Sequence, residues 1–287
     1  MYQLDCLGTI RALYCTAGAA LALTGASVAQ ATGDQPASAT PQPTSTEVLK
    51  AIYRKDSHGA SNFDVGQGRY ATYWYHYAFS LGGISYFTGL AYNTAPTAAD
   101  SNDMPGSETK VTITEATFQQ SAAGTSPSWS LLGVQHDLGQ FGGNAKGNEV
   151  DTTQPPLNYR TTTDKLVLAI PGWYLASGSR IFSYEIFAFD SHITGTKAIR
   201  WSYLGNVNAG EDNSAACGAA DGSNIPCLKS HGALSFMPGQ NGDMPAIHIV
   251  WNDTGTDKTG HIRKFGPSDI DDYRYDSASN TYMQAKP

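Results

Sequence analysis

The amino-acid sequence predicts an all-β protein of antiparallel hairpins with one short N-terminal helix. From Tyr70 onward, short aromatic and β-branched runs are separated by Gly, Asn, Asp, Ser and Pro, which is typical of antiparallel strands and their turns. Apolar residues at helical spacing form a convincing helix only before that point. A set of short sequence words also occurs twice at similar spacing, which indicates an internal repeat.

Residues 1–31 have the parts of a secretory signal peptide. Arg11 is their only cationic side chain, no charge occurs from Ala12 to Ala29, and Ala29-Gln30-Ala31 places small residues where signal peptidase reads them. We therefore expect cleavage before Thr32 and a periplasmic or extracellular location. The alternative is a retained single-span anchor, although the run is short and rich in Ala, Gly, Ser and Thr.

Composition excludes several classes of protein. The chain has 287 residues, of which 40% are hydrophobic and 15% charged, and its net charge is −7. These values exclude a disordered acidic polymer, a coiled coil and a polytopic membrane protein. Removing the leader takes away Asp5 and Arg11 together and leaves the charge at −7, with no dense run of Lys or Arg to bind nucleic acid. We expect no membrane span after processing.

Cysteine usage predicts one disulfide. Cleavage removes Cys6 and Cys15 and leaves Cys217 and Cys227, ten positions apart, which in an exported chain form a bridge. The alternative is a metal pair, but two thiols with only His231 nearby do not make a four-ligand zinc site. The bridge pins a loop with little apolar content, and such loops are often binding surfaces. The candidate binding residues of this loop are Asp221 and Asn224.

The folded part is predicted to begin with the helix. Residues 32–43 are mostly Pro, Ala, Thr, Ser and Gln and form a flexible linker. Thr44 and Glu47 make a capping box for a helix over Glu47–Lys55. The apolar face of this helix consists of Val48, Leu49, Ile52 and Tyr53. Residues 44–287 are predicted to form a single β-rich domain.

The strand candidates follow the helix in order. A hairpin is predicted around Leu81-Gly82-Gly83, and the remaining candidates are separated by turn residues. The predicted strands are Tyr73–Ser80, Ile84–Tyr92, Val111–Phe118, Leu166–Ile170, Arg180–Phe189, Ala233–Phe236, Ala246–Trp251 and Tyr273–Asp276.

The internal repeat relates Glu115–Gly133 to Glu185–Gly205. Each copy has a Glu at the start of an apolar run, a Gly-Thr turn and then Trp-Ser-x-Leu-Gly, with one-residue differences in spacing. A third, weaker copy begins at Ala246. The repeat predicts hairpins that are arranged radially as propeller-like blades or stacked as a β-sandwich. Under this interpretation Trp129 and Trp201 are equivalent core anchors.

Motifs for enzyme chemistry are absent. The sequence has no Gly-x-Ser-x-Gly, no His-Glu-x-x-His, no phosphate loop and no dinucleotide fingerprint after a strand. If the chain is an enzyme, its candidate catalytic residues are Glu185, His136 and Asp137. Burial within an apolar run would raise the pKa of Glu185 toward general-acid use, but the matching position of Glu115 favours a structural role for both.

Three further groups of polar residues carry alternative interpretations. His136-Asp137 is placed in a loop, where function is commoner, although adjacent side chains usually point apart. His248 lies between two isoleucines and is interpreted as an interior or edge histidine. Calcium has two candidate ligand sets, but neither matches an Asp-x-Asp-x-Asp-Gly loop, so no metal and no cofactor is predicted. These sets are Asp100, Asn102, Asp103 and Glu108, and Asp269, Asp271 and Asp272.

Aromatic residues favour binding over catalysis. They make up 11% of the chain and are dense from Tyr70 to Tyr77, where alternation would leave several rings on an outer face. Tyr73 and Trp74 are the candidate binding residues. The alternative is that Tyr75, Tyr77 and Phe79 line the core.

The C-terminal part resembles a known group of exported proteins. It is similar to the C-terminal part of exported bacterial proteins with propeller-like blades, including periplasmic inhibitors of lysozyme-type enzymes. The residues that carry this similarity are Gln240–Val250, Tyr273-Arg-Tyr-Asp276 and Tyr282. The resemblance covers about the last fifty residues. Ala246 stands where such blades often have an acid, which puts calcium in doubt.

Two functions of different class follow. The first is a periplasmic or secreted binding protein, an inhibitor or immunity-type partner of a peptidoglycan-degrading enzyme, which recognises its partner through loops at 136–148 and 217–227. The second is an extracellular glycan-directed hydrolase or carbohydrate-binding module. The implied partner is therefore a protein or a glycan.

Overall fold

The computed structural model describes residues 41–95, 105–122, 128–195, 198–217, 225–239, 244–257 and 259–285. The predicted signal peptide and residues 32–40 of the predicted linker lie outside these ranges. The all-β class is confirmed. The described elements are α1 (Ser45–Tyr53), β1 (Asn62–Gly66), β2 (Arg69–Leu81), β3 (Ile84–Asn93), β4 (Val111–Gln120), β5 (Trp129–Phe141), β6 (Glu149–Val150), β7 (Leu157–Arg160), β8 (Lys165–Ala176), β9 (Ser179–Asp190), β10 (Trp201–Asp212), β11 (Lys229–Met237), β12 (Ala246–Thr256), β13 (Ile262–Lys264), β14 (Ile270–Asp276) and β15 (Thr281–Gln284).

The capping box predicted at Thr44 is confirmed, but the helix spans Ser45–Tyr53 rather than Glu47–Lys55. The Thr44 hydroxyl accepts a hydrogen bond from the Glu47 backbone N–H, and the Glu47 carboxylate accepts one from the Thr44 backbone N–H, which completes the capping box. The helix ends at Tyr53, because Arg54 takes the left-handed conformation with φ 56°. Its apolar face packs on the first sheet, with Val48 and Leu49 fully buried.

The first sheet, here called the front sheet, contains β1 to β5 in chain order, and all its pairs are antiparallel. β2 and β3 form the predicted hairpin. Gly82 and Gly83 both have positive φ, 57° and 78°, as the two-residue turns of tight hairpins require.

The second sheet contains the remaining strands and bends back on itself. Its order is β15-β14-β12-β11-β10-β9-β8-β6, with β13 paired to β12 and β7 paired to β8. β10 and β11 share only three residue pairs, from Gly210↔His231 to Asp212↔Lys229. At this short junction the sheet bends, so β10 approaches β15 although three strands separate them in the sheet order. We call β8 to β10 the middle leaf and β11 to β15 the back leaf.

The middle leaf is buried on both faces. Leu166, Leu168 and Ile170 pack toward the front sheet, while Val167 and Ala169 between them pack toward the back leaf. Alternating side chains of one strand point to opposite faces, so an unbroken apolar run fits a leaf between two layers. The leaves are therefore stacked face to face, as in a β-sandwich.

The two copies of the repeat form the hairpins β4–β5 and β9–β10, but their tryptophans differ. Trp201 is 1% exposed and packs between the front sheet and the middle leaf, whereas Trp129 is half-buried beside α1. The expectation of equivalent core anchors is therefore wrong. Side chains of a strand alternate between its two faces. Phe189 follows Glu185 by four residues and shares its face, whereas Phe118 follows Glu115 by three residues and lies on the opposite face. The end of the first hairpin is therefore turned over relative to the second.

Candidate functional site

Tyr73 and Trp74 do not form an exposed aromatic strip. Pairing of β2 with β3 skips Trp74, and this bulge turns both Trp74 and Tyr75 into the layer between the front sheet and the middle leaf. The Trp74 indole donates a 2.7 Å hydrogen bond to the Asn148 carbonyl and contacts the Phe141 ring edge-on at 4.8 Å. Tyr73 packs on the helix side of the sheet, where burial raises the pKa of its phenol. Both rings are thus structural.

Glu185 is enclosed by hydrogen-bond donors. Its carboxyl group is 0% exposed and accepts from Asn148 Nδ2 at 2.6 Å, Ser183 Oγ at 3.1 Å and Tyr203 OH at 2.5 Å. Burial raises its pKa, although the three hydrogen bonds oppose this shift. A glycan cannot reach a fully enclosed carboxyl group, so this geometry fits a structural role.

Glu115 lies on the facing side of the same layer. It accepts a 2.6 Å hydrogen bond from Thr117 Oγ1, and the Trp201 indole donates to that same hydroxyl at 3.1 Å. Burial raises the pKa of Glu115 to about 8. Thr117 therefore links the carboxyl group of Glu115 in the front sheet to Trp201 of the middle leaf.

His136 and Asp137 lie on strand β5, so their placement in a loop is wrong. Gly139 pairs with Ile113 and Gln135 with Glu115, which leaves three residues of β5 opposite the single residue Thr114. This bulge exposes both His136 and Asp137 at the edge of the front sheet. Neither side chain has a hydrogen-bond partner in the part of the chain that the structure describes, and neither is bonded to Glu185.

The Cys217–Cys227 disulfide is confirmed, with a Cα–Cα distance of 5.0 Å. Asp221 and Asn224 lie outside the described residues. The buried Asn213 holds the two ends of the loop together: its Nδ2 donates to the Pro226 carbonyl at 2.8 Å, and its Oδ1 accepts from the Leu228 N–H at 2.7 Å. Asn213 therefore fixes the base of the loop from inside, a role that we did not predict. The only sequence feature that points to this role of Asn213 is the turn-forming Asp-Asn-Ser run before Cys217.

A cleft of about 590 Å³ opens beside the base of this loop, between the ends of β10 and β12. We call it the loop-side cleft. The Trp251 and Phe265 rings lie 5.9 Å apart in its wall, and the Arg263 guanidinium lies 4.9 Å above the Phe265 ring. Arg263 also binds the Asp269 carboxylate and lowers its pKa to about 2. Flat aromatic faces beside fixed polar groups are suited to a sugar or a partner side chain.

The acidic residues of the second candidate calcium set have separate partners. Asp269 binds Arg263, Asp271 accepts from the Trp251 indole at 2.9 Å, and Asp272 lies 2.6 Å from His248 Nδ1. Of the first set, Asp100, Asn102 and Asp103 lie outside the described residues and Glu108 is exposed. Within the described ranges no group of three His, Cys, Asp or Glu residues could hold a metal ion.

His248 belongs to a row across the outer face of the back leaf. It pairs in register with Asp272 on β14 and with Ser235 on β11, which places Ser, His and Asp side by side. A serine nucleophile also needs hydrogen-bond donors for the oxyanion, and backbone N–H groups within a sheet point along its plane rather than out of its face. The His248–Asp272 contact therefore serves as a cross-strand pair.

Comparison with known proteins gives no relative. No protein-family model, no curated protein and no solved structure matches this chain. Among the residues described, no helix is long and apolar enough to cross a membrane.

Proposed function

We propose that this chain is an exported binding protein that recognises a peptidoglycan-degrading enzyme through the Cys217–Cys227 loop and the adjoining cleft. The disulfide carries the proposal, because it joins the ends of an eleven-residue loop at a bend between two sheet leaves. A loop held at its base loses less conformational entropy when it binds, so more of the contact energy remains as affinity.

The location in the cell envelope rests on two supports, and the class of partner rests on a third. Disulfides persist in oxidising compartments, which include the periplasm and the extracellular space. Residues 1–31 have the parts of a signal peptide. The resemblance of Gln240–Val250 to periplasmic inhibitors of lysozyme-type enzymes supports the class of partner.

The test is inhibition of a peptidoglycan hydrolase. The full chain is expressed with its leader, purified from the exported fraction and added to a panel of muramidases, amidases and lytic transglycosylases acting on peptidoglycan. We expect saturable inhibition of one class. The Cys217→Ser/Cys227→Ser double variant should inhibit at least about tenfold more weakly while its far-UV circular dichroism is unchanged, because the bridge lies outside the packed leaves.

Lys110→Ala provides a matched control, since Lys110 is exposed immediately before β4 of the front sheet, whereas the Cys217–Cys227 loop lies between β10 and β11 of the second sheet. It should inhibit as the unmodified protein does. Equal inhibition by the double serine variant would remove the loop from the interface. Absence of inhibition across the whole panel would overturn the partner class.

A second candidate function is glycan binding, which the aromatic wall of the loop-side cleft favours. In this case insoluble peptidoglycan itself retains the protein. The Trp251→Ala variant should not be retained, because it lacks the aromatic face on which a sugar stacks. The alternative of a glycan hydrolase that uses Glu185 is not supported, because the carboxyl group of this residue is enclosed. Any turnover that survives Glu185→Gln would exclude that residue from the mechanism.

A further inference from the structure

A second and larger cleft lies at the other end of the interface between the middle and back leaves. Its volume is about 830 Å³, within the range of small-molecule sites. Ser202 and Leu204 at the start of β10 line it, whereas the loop-side cleft lies at the end of β10. We call this second space the far cleft.

Arg200 is the unusual residue of the far cleft. It lines the cleft and is only 6% exposed, and the Gln135 side chain fixes its backbone N–H at 2.9 Å. Its guanidinium donates a 2.9 Å hydrogen bond to the Gly195 carbonyl. Among the described residues it has no carboxylate partner. A buried guanidinium normally has one, because removing its charge from water is costly without compensation.

The interior does not balance this charge. Glu115 and Tyr86 are the titratable groups whose pKa the positive charge of Arg200 lowers. Burial nevertheless raises the pKa of Glu115 to about 8, so its carboxyl group is mostly protonated at neutral pH. The phenol of Tyr86 is neutral as well, since burial raises its pKa. Among the described residues, the interior side thus gives Arg200 no ionised carboxylate partner, and Arg200 lines the cleft on its other side.

The other charged side chains in the wall of the far cleft add to the positive charge. Lys165 lies 3.2 Å from Asp190 and is paired, whereas Arg274 is exposed and has no partner in the described ranges. The described lining thus holds three cationic side chains and one carboxylate. This local excess occurs in a chain whose net charge is −7.

We infer that the far cleft binds a small organic anion, with a carboxylate or phosphate group held by Arg200 and Arg274. Guanidinium groups match the planar oxygens of both anions and bind them through paired hydrogen bonds. Leu204 and Met244 supply an apolar wall for the remainder of the ligand. The inference does not depend on the proposed partner, because the two clefts lie at opposite ends of β10.

The experiment is isothermal titration of the purified full chain with citrate and, separately, with inorganic phosphate in a buffer free of other multivalent anions. We expect saturable binding of at least one, and the stronger ligand identifies whether carboxylate or phosphate is preferred. Arg274→Gln should weaken binding about tenfold, because a charge-assisted hydrogen bond contributes that much affinity. Arg200→Gln should abolish binding.

Arg160→Gln is the matched control, since Arg160 is exposed on β7 and does not line the far cleft. It removes the same charge and should leave the affinity unchanged. If Arg200→Gln does not fold, Arg274→Gln decides the outcome, because that side chain is exposed. Equal affinities of Arg274→Gln and the unmodified chain would overturn the inference, as would the absence of saturable binding of either anion at millimolar concentration.

Discussion

At the residue scale, the polar side chains between the layers act as connectors. Gln135 on β5 accepts hydrogen bonds from the backbone N–H groups of Arg200 and Trp201 at 2.9 and 2.8 Å, and it donates to the Trp201 carbonyl at 2.9 Å. One amide thus satisfies three backbone groups at the start of β10. Because unpaired buried polar groups are costly, such bonds specify how the front sheet meets the middle leaf.

Glu115 makes the stability of the fold depend on pH. Its pKa is about 8 in the folded state and 4.5 for an ordinary glutamate. Below pH 4.5 the carboxyl group is protonated in both states. Between these two values the unfolded chain loses the proton while the folded chain keeps it, so this residue lowers the free energy of unfolding as pH rises, and the loss is complete above the folded pKa.

Replacing Glu115 by glutamine should therefore stabilise the protein selectively at high pH. Glutamine retains an oxygen that accepts from Thr117 but carries no ionisable proton. We expect the melting temperature of Glu115→Gln to exceed that of the unmodified chain by more at pH 9 than at pH 5. The exposed residue Glu108 provides the comparison. A difference that is constant with pH, or one that Glu108→Gln reproduces, would contradict the assignment.

At the element scale, the close approach of Val48 in α1 to Gly89 in β3 decides how the helix packs on the front sheet. A Cβ atom added at Gly89 on β3 would overlap both methyl carbons of Val48, which is fully buried in α1. Glycine is therefore required at this position by the helix above it. The apolar face of α1 is predictable from its own sequence, but its partner on β3 is visible only once the sheet is formed.

Gly89→Ala should separate the helix from the sheet. We expect a loss of about 1–3 kcal/mol in the free energy of unfolding, measured by urea denaturation, because overpacking forces buried groups apart. Gly106→Ala is the control, since a Cβ there would meet only a hydroxyl at 3.9 Å. The double variant Gly89→Ala/Val48→Ala should be more stable than the sum of the two single changes predicts. Additive losses would show that the overlap is not the cause.

At the scale of the whole molecule, the shared middle leaf couples the layers. One face of β8 to β10 belongs to the core with the front sheet, and the other face belongs to the core with the back leaf. Neither outer layer can detach without exposing apolar side chains of the middle leaf to water. The energetic cost of that exposure favours unfolding in one step.

We accordingly expect a single unfolding transition for residues 44–287. Far-UV circular dichroism and tryptophan fluorescence should report the same midpoint in guanidinium chloride, since Trp201 and Trp251 lie in different layers. Two separate midpoints would mean that the back leaf folds independently. Disulfide reduction should lower the midpoint without splitting the transition, because the bridge closes a short loop outside the cores.

Local patterns were sufficient to predict much of the fold. The capping box at Thr44, the Gly82-Gly83 hairpin and the disulfide depend on residues near one another in sequence, so short-range chemistry determines them. Alternation likewise predicted β2, β3 and β9. Seven strands are not among the predicted ones, namely β1, β5, β6, β7, β10, β13 and β15. Five of them are short and have little apolar pattern of their own, while bulges interrupt the alternation of β5 and β10.

The candidate site depended on tertiary structure. By itself, the sequence determined an all-β chain with one capped helix and a pinned loop. Only the tertiary structure decided that Tyr73, Trp74 and Glu185 are interior and that Trp251 and Phe265 share a cleft wall. It also decided that Arg200 is buried with no carboxylate partner among the described residues. The physical reason is that a strand pattern gives side-chain alternation, whereas register, bulges and the bend after β10 decide which layer each face meets.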